Sequence, residues 1–261
     1  MVAVANPPQS PFFKGGSSSQ QTLFISDLHL CAERPQITRL FERFIAETAP
    51  AAASLYILGD LFEYWIGDDQ LDVDPLARDV ARRLHNLAAS GTRIFFMHGN
   101  RDFLIGERFA REAGLEILPD PTLINIGNTP VLLMHGDTLC TDDKRYQSFR
   151  QQVRSAEWQQ AILAKPIPER QTLAQSIRSQ SDIEKSMKPE AIMDVNADAV
   201  TAVFRDQGFP IIVHGHTHRP ARHEYLINGH SCVRWVLQDW HEIGGYLSVS
   251  DGEWRATAVS G

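Results

Sequence analysis

Short apolar runs alternate with amphipathic stretches in the first part of the chain. Three runs of consecutive apolar residues predict buried strands: TLFISD at 22–27, SLYILGD at 54–60 and TRIFFMHGN at 92–100. Between these runs, helical apolar spacing follows Pro35 and again Pro75, and Gly91 marks the end of the second helix. This β-α-β-α-β order with continuous apolar strands favours a largely parallel, covered sheet in an α/β fold.

The pattern changes in the second part of the chain. Further strands are predicted at 121–126, 130–135 and 210–216, followed by antiparallel strands at 221–228, 231–238, 244–250 and 253–258. The stretch from 142 to about 205 is mostly helical and polar in pattern, and the part at about 142–195 predicts a helical insertion or lid. Its last helix carries an apolar stripe of Ile192, Val195, Ala199, Val200, Val203 and Phe204.

Composition narrows the class of protein. Residues 1–21 are rich in Pro, Gly, Ser and Gln and predict a flexible leader before a domain spanning 22–261. With 25 Lys and Arg against 32 Asp and Glu, the net charge of −7 argues against a generic nucleic-acid binder. Three scattered cysteines without a CxxC pair fit a reducing cytosol, and no apolar stretch is long enough to predict a transmembrane helix.

Polar residues of the types that bind metals stand where the predicted strands end. Because loops beyond the carboxyl ends of strands converge on one crevice, five such loops would bring two carboxylates, one amide and four imidazoles together. The residues are Asp27, His29, Asp60, Asn100, His135, His216 and His218. Any one of these short motifs alone is common in turns and cores, but the ordered set predicts a metal site.

Seven ligands are too many for one zinc ion and suit two ions that share a carboxylate. Imidazole and oxygen ligands without thiolate favour Mn²⁺, Fe²⁺ or Zn²⁺. Two such ions, roughly 3.5–4 Å apart, activate a bridging water and stabilise both oxygens of a phosphoryl displacement. The four positive charges exceed the two carboxylate charges, so the centre would attract phosphate within an acidic protein.

The ordered blocks D-x-H, GD, GN, H and GHxH resemble the calcineurin-like metallophosphoesterase superfamily over roughly 22–220. The resemblance implies a four-layer αββα sandwich, with two β-sheets flanked by helices and a two-metal hydrolytic centre. It assigns one ion to Asp27, His29, Asp60 and His218, and the other to Asp60, Asn100, His135 and His216. Asp60 would bridge the two ions.

One departure narrows the resemblance. Most of the superfamily has a histidine after the GN pair, whereas this chain has Arg101, which can bind a phosphate oxygen but cannot donate a proton at neutral pH. With SDLHLC (26–31), YILGDLFEYWIGDD (56–69), MHGNRDFLIGERFA (97–110), LLMHGDTLCTDD (132–143), AIMDVN (191–196) and VHGHTHRPARHE (213–224), the chain resembles the UDP-2,3-diacylglucosamine hydrolases of lipid A biosynthesis.

That resemblance implies hydrolysis of the pyrophosphate bond by attack of a metal-activated hydroxide on the α-phosphorus. The products would be UMP and 2,3-diacylglucosamine 1-phosphate, two Mn²⁺ ions would be the cofactors, and Asp60, Asn100, Arg101 and His135 would be the catalytic residues. The predicted substrate contacts are Asn100, Arg101, Asp143, Ser181, Lys185, Lys188 and His216. For Ser181 and Lys188, a solvated helix face is the alternative.

A UDP-linked lipid substrate also implies reversible, peripheral association with the cytoplasmic face of the inner membrane, in an otherwise cytoplasmic protein with no obligate protein partner. Two other functions stay open. One is a dimetal phosphodiesterase or phosphatase that acts on nucleotides and does not use the lid for lipid. The other is a non-catalytic scaffold that binds a partner, which the complete ligand set disfavours.

Overall fold

Strands and helices alternate in the order that the apolar pattern predicts. The computed structural model describes residues 21–187 and 194–259. In the helix Ile167–Met187, side chains are described up to residue 179. The first elements along the chain are β1 (Thr22–Ile25), α1 (Pro35–Arg43), β2 (Ser54–Ile57), α2 (Gln70–Val73), α3 (Pro75–Ala89), β3 (Arg93–Met97), α4 (Glu107–Ala113) and β4 (Leu115–Leu118). Then follow β5 (Thr122–Ile126), β6 (Thr129–Leu133), α5 (Lys144–Val153), α6 (Ala156–Leu163), α7 (Ile167–Met187), α8 (Ala197–Asp206), β7 (Ile211–His214), β8 (Ala221–Ile227), β9 (His230–Val236), β10 (Gly244–Ser250) and β11 (Glu253–Val259).

The strands form two sheets within the described residues. One has the order β11-β10-β1-β2-β3-β4 and the other the order β5-β6-β7-β9-β8. Strands β1 to β4 are parallel, as predicted for the start of the chain. The four antiparallel strands predicted after 220 do pair antiparallel, but β8 and β9 lie in the second sheet and β10 and β11 in the first.

Burial on both faces of the first sheet explains its continuous apolar strands. Leu23 and Ile25 of β1 belong to a core shared with Phe41 of α1 and Leu84 of α3. Phe24, between them, points to the opposite face, where it shares a second core with Val131 and Val213 of the other sheet. Because side chains alternate along a strand, both sets must be apolar.

The outer face of the second sheet completes the sandwich. Leu132 of β6 and Ile212 of β7 pack there against Val200 and Phe204 of α8, which are both fully buried. The order of layers is therefore helices, sheet, sheet, helix, and the predicted αββα sandwich is confirmed. The predicted stripe of this helix extends too far back, because α8 begins at Ala197 after its Asn196 cap; Val195 precedes the helix, and Ile192 lies outside the described residues.

Three helices, α5 to α7, follow the second sheet's first hairpin, in the segment predicted to be helical. Ile162 of α6 is buried in the helix-facing core of the first sheet, and Trp158 and Leu173 pack against the same core. Leu163, by contrast, is exposed. That this segment acts as a lid stays a prediction. None of the helices in the described residues is both long and apolar enough to cross a bilayer.

Candidate metal centre

The predicted ligands all lie in loops that leave the carboxyl ends of strands. Asp27 and His29 follow β1, Asp60 follows β2, and Asn100 follows β3 of the first sheet. From the second sheet, His135 follows β6, while His216 and His218 follow β7. The two sheets therefore direct their loops to one crevice, and the structure brings all seven side chains together.

Five of these residues have an unusual backbone. Their φ angles are positive, in the left-handed region that non-glycine residues seldom adopt: Asp27 (55°), His29 (50°), Asp60 (54°), His216 (68°) and His218 (53°). Each such conformation costs about 1–3 kcal/mol and persists only where the surroundings enforce it. Backbone hydrogen bonds between loops provide that support, including His29 N–H to Asp60 O at 2.9 Å and Gly215 N–H to His135 O at 2.9 Å.

The first group of ligand atoms belongs to Asp27, His29 and His218. Asp27 Oδ1 lies 3.4 Å from His218 Nε2, and the Nε2 atoms of His29 and His218 are 3.4 Å apart. These atoms, one from each residue, lie within 4.8 Å of one another. Asp27 Oδ1 is buried and accepts no hydrogen bond.

A second group adjoins the first. Asp27, Asp60 and His135 place ligand atoms within 4.8 Å of one another. Asn100 Oδ1 extends this group, because it lies 3.1 Å from His135 Nε2 and 2.9 Å from His216 Nδ1. Asp60 faces both groups: Oδ2 lies 3.7 Å from His29 Nε2, and Oδ1 lies 3.9 Å from His135 Nε2.

These two groups fit divalent cations. Fully buried Asp27 and almost fully buried Asp60 have little access to water, and a buried acceptor without a partner, such as Asp27 Oδ1, is costly unless a cation or donor occupies the space beside it. The donors are nitrogen and oxygen atoms without thiolate, a set that suits Mn²⁺, Fe²⁺ and Zn²⁺ alike. The predicted ligand set is therefore sterically possible, with Asp60 between the groups.

Electrostatic shifts agree with a site prepared for positive charge. Burial alone would raise the pKa of Asp27, but the adjacent imidazole of His218 holds it well below its usual value. Burial opposes the protonation of His135, yet the charges of Asp60 and Asp137 raise its pKa to about 9. In the metal-free protein the neighbouring carboxylates therefore favour the protonated form of His135.

Glycines let the loops approach the carboxylates. A Cβ atom at Gly99 would collide with the carboxylate and backbone nitrogen of Asp60, and one at Gly215 would collide with Asp27 and Ser26. Neither glycine has a positive φ angle. Glycine is required at both positions because the neighbouring loops approach too closely for a Cβ atom. The Gly-Asn and Gly-His pairs of the sequence motifs are therefore packing requirements of the site.

Sequence reasoning assigned no role to Asp102, which organises the site. Its carboxylate accepts hydrogen bonds from the backbone of Gly99 (2.9 Å) and Leu61 (2.7 Å), and longer ones from Asp60 and Phe62. The side chain is fully buried, and burial together with the charge of Asp60 raises its pKa to about 7. Asp102 thus joins the loop of Asp60 to the loop of Asn100. Its place inside the quoted GNRD motif was the available signal.

Arg101 lies beside the carboxylate of Asp60. Its backbone N–H donates to Asp60 Oδ1 at 2.8 Å, and its carbonyl accepts from Trp65 N–H at 3.0 Å. The side chain is half-buried, and its charge lowers the pKa of Asp60 and of Glu63 against the effect of burial. Within residues 21–187 and 194–259 the guanidinium forms no hydrogen bond, so its donors remain available to a ligand.

The predicted substrate contacts outside the crevice stay predictions. Asp143 is half-buried and caps helix α5, accepting a hydrogen bond from Tyr146 N–H at 3.1 Å. Ser181 and Lys185 belong to α7, but their side chains lie outside the described part, and Lys188 lies outside the described residues.

Comparisons with known proteins agree with this geometry. The family model described as "calcineurin-like phosphoesterase" matches residues 21–220. A protein of Aromatoleum aromaticum named UDP-2,3-diacylglucosamine hydrolase is 55% identical over 86% of this chain and 91% of its own. Proteins of the same name are 49% identical in Cellvibrio japonicus, over 88% and 95% of the two chains, and 50% identical in Stenotrophomonas maltophilia, over 92% and 98%. The chain therefore belongs to the calcineurin-like phosphoesterase family, in the group of the UDP-2,3-diacylglucosamine hydrolases.

Proposed function

We propose that this protein hydrolyses the pyrophosphate bond of UDP-2,3-diacylglucosamine and releases UMP and 2,3-diacylglucosamine 1-phosphate. The identity of about half of all residues to hydrolases of that name, over almost the whole chain, is the observation that carries the substrate. The convergence of seven ligand side chains on one crevice supports the reaction type.

Two divalent cations, which we propose to be Mn²⁺, would be held by these side chains. Asp27, His29 and His218 would hold one, and Asn100, His135 and His216 the other, with Asp60 between them. When bound, such a pair lowers the pKa of a coordinated water and neutralises charge on a phosphoryl group. The equal suitability of the donor set for Fe²⁺ and Zn²⁺ makes the choice of metal a matter for experiment.

The chain's own residues would bind and orient the substrate around that centre. Arg101 would donate two hydrogen bonds to oxygens of the diphosphate and stabilise the charge that develops on the α-phosphoryl group. The group that leaves the α-phosphorus is a sugar phosphate, which is already a stable anion. It needs little protonation, so an arginine instead of a histidine after Asn100 fits this reaction.

The diacylglucosamine part of the substrate would lie beneath the helical insertion. We propose that Asp143, Ser181, Lys185 and Lys188 contact it or its phosphate, and that the protein attaches reversibly to the cytoplasmic face of the inner membrane. Exposed Phe149 and Leu163 on the insertion are apolar groups suited to such a surface. Flotation with liposomes tests this attachment, and protein that stays in solution even with the lipid substrate present would exclude it.

The reaction is tested by measuring UMP release from UDP-2,3-diacylglucosamine. We expect rapid release with Mn²⁺ and none with excess EDTA. Activity only on a generic phosphodiester would agree with the proposed metal centre but refute the proposed substrate. It would favour a nucleotide phosphodiesterase. Purified protein that binds no metal stoichiometrically and releases no UMP would favour the non-catalytic scaffold.

A further inference from the structure

Glu63 is a buried carboxylate beside the metal centre to which no role has been given so far. It follows Asp60 in the loop after β2, and only 7% of its surface is exposed. Burial raises the pKa of this carboxyl, whereas the charges of Arg101, Arg178 and Arg34 oppose that shift. A buried carboxylate is costly unless it is paired, so the groups that face Glu63 indicate what it does.

One oxygen of Glu63 faces a metal ligand. Oε2 lies 3.7 Å from Nδ1 of His29 and 3.3 Å from Nη2 of Arg34. His29 Nδ1 is buried and has no hydrogen-bond partner, while Nε2 on the other side of the ring faces Asp60. A ring whose Nε2 binds a cation carries its proton on Nδ1, and a carboxylate at that side fixes the tautomer and the ring orientation.

The other oxygen of Glu63 faces the helical insertion. Oε1 lies 3.4 Å from Nη1 of Arg178, in the middle of α7. A second arginine, Arg170, fixes the start of the same helix through Asp69 and the carbonyl of Ile66. Helix α7 is therefore attached to the loop after β2 at two points, and the second attachment ends at the carboxylate that touches His29.

We propose that Glu63 is a positioning residue that orients His29 toward the metal and, through Arg178, holds helix α7 against the loop after β2. This inference rests on the proposed function for its substrate readout. As a consequence, metal binding and the position of helix α7 both depend on Glu63. Oε2 faces His29, and Oε1 faces Arg178.

The metal side is tested by calorimetric titration of metal-free protein with Mn²⁺, which needs no substrate. We expect Glu63→Ala to weaken Mn²⁺ binding by about 10-fold, as loss of a partner behind a ligating histidine typically does. Arg178→Met should bind Mn²⁺ like the wild type. So should the control Glu169→Gln, which removes an exposed carboxylate of α7 that pairs with Lys165. Wild-type affinity in Glu63→Ala would overturn the orienting role, whatever the substrate proves to be.

The insertion side is tested with saturating Mn²⁺ and the lipid substrate. Glu63→Gln keeps the side-chain shape and one acceptor oxygen for His29 but loses the charge that attracts Arg178. We expect Arg178→Met to raise KM about fivefold with kcat nearly unchanged, the effect of losing about 1 kcal/mol from a partly exposed ion pair, and Glu63→Gln to raise KM by a similar factor. Hydrogen exchange in the described part of α7 should accelerate in both variants and not in Glu169→Gln.

The double variant shows whether Glu63 and Arg178 act together to hold α7 or contact the substrate independently. If Glu63 acts through Arg178, Glu63→Gln combined with Arg178→Met raises KM no further than either change alone. Additive effects on KM would refute the proposal that Glu63 holds α7 through Arg178. Unchanged KM and unchanged hydrogen exchange in both single variants would refute it as well. If no UMP is released even by the wild type, the proposed function fails, while the titration and the exchange experiment still decide the role of Glu63.

Discussion

Asp102 provides a sharp test of how the metal centre is held together. Its two oxygens accept backbone hydrogen bonds from both loops that carry Asp60 and Asn100, and two of these bonds are short: 2.7 Å from Leu61 and 2.9 Å from Gly99. Replacement by alanine removes both acceptors from a fully buried position.

The expected cost follows from the donors left without a partner. An unpaired buried donor costs about 1–3 kcal/mol, so losing the two short bonds costs roughly 2–6 kcal/mol. Since a domain has a free energy of unfolding of about 5–15 kcal/mol, Asp102→Ala removes a large share of it. Asp102→Asn keeps one acceptor oxygen but turns an NH₂ group toward one of the two loops, so we expect about half of that loss.

Denaturant unfolding of the metal-free protein measures this loss, and a Mn²⁺ titration of Asp102→Asn shows whether the loops still present their ligands. Asp79→Asn is the matched control, because Asp79 pairs with exposed or half-exposed arginines on α3 and its loss costs at most about 1 kcal/mol. If Asp102→Asn unfolds at the wild-type denaturant concentration and binds Mn²⁺ equally well, then Asp102 does not organise the loops.

Three further predictions concern the same crevice. Arg101→Ala should keep its metal content, measured by atomic absorption, but lose at least about 100-fold in kcat, the range found when one charge-stabilising donor is removed; normal turnover would exclude the phosphate contact. Gly99→Ala should bind Mn²⁺ poorly in titrations, because its Cβ would displace Asp60; wild-type binding would show that the loop can yield. The pKa of His135 is raised from 6.5 to about 9, so its proton stabilises the metal-free fold below pH 6.5 and that stabilisation is lost as the pH rises to 9. Mn²⁺ must displace this proton, so calorimetry near pH 7.5 in two buffers of different ionisation enthalpy should give different heats; equal heats would contradict the assignment.

The local pattern of apolar residues predicted two kinds of element: strands that are apolar on both faces and helices with one apolar stripe. The apolar runs of β1 and β2 are continuous because every residue of these strands is buried, and β3 is buried in its second half. The helices after Pro35 and Pro75 begin where proline is tolerated. Strand β4 was missed, since its LEIL sequence is short and none of its residues is fully buried at the sheet's edge.

Features that depend on distant contacts could not be predicted from local pattern. Nothing in the sequence of β10 indicates that it pairs with β1 while the similar strand β9 joins the other sheet. The positive φ angles of the ligands are likewise imposed by hydrogen bonds between loops far apart in sequence. Trp65 shows the same limit: the structure buries it against Phe62 and against Phe109 of α4, which is distant in sequence.

The pairing of β1 with β10 also determines when the crevice can form during synthesis. Thr22 pairs with Val249, and the N–H of Trp240 donates to the carbonyl of Asp27 at 3.0 Å. A nascent chain that has emerged only as far as α8 contains β1 to β4, but the loop of Asp27 still lacks its partner Trp240, and the histidines after β7 are still to come. A ribosome-bound chain should therefore acquire high metal affinity only after β10 has left the exit tunnel.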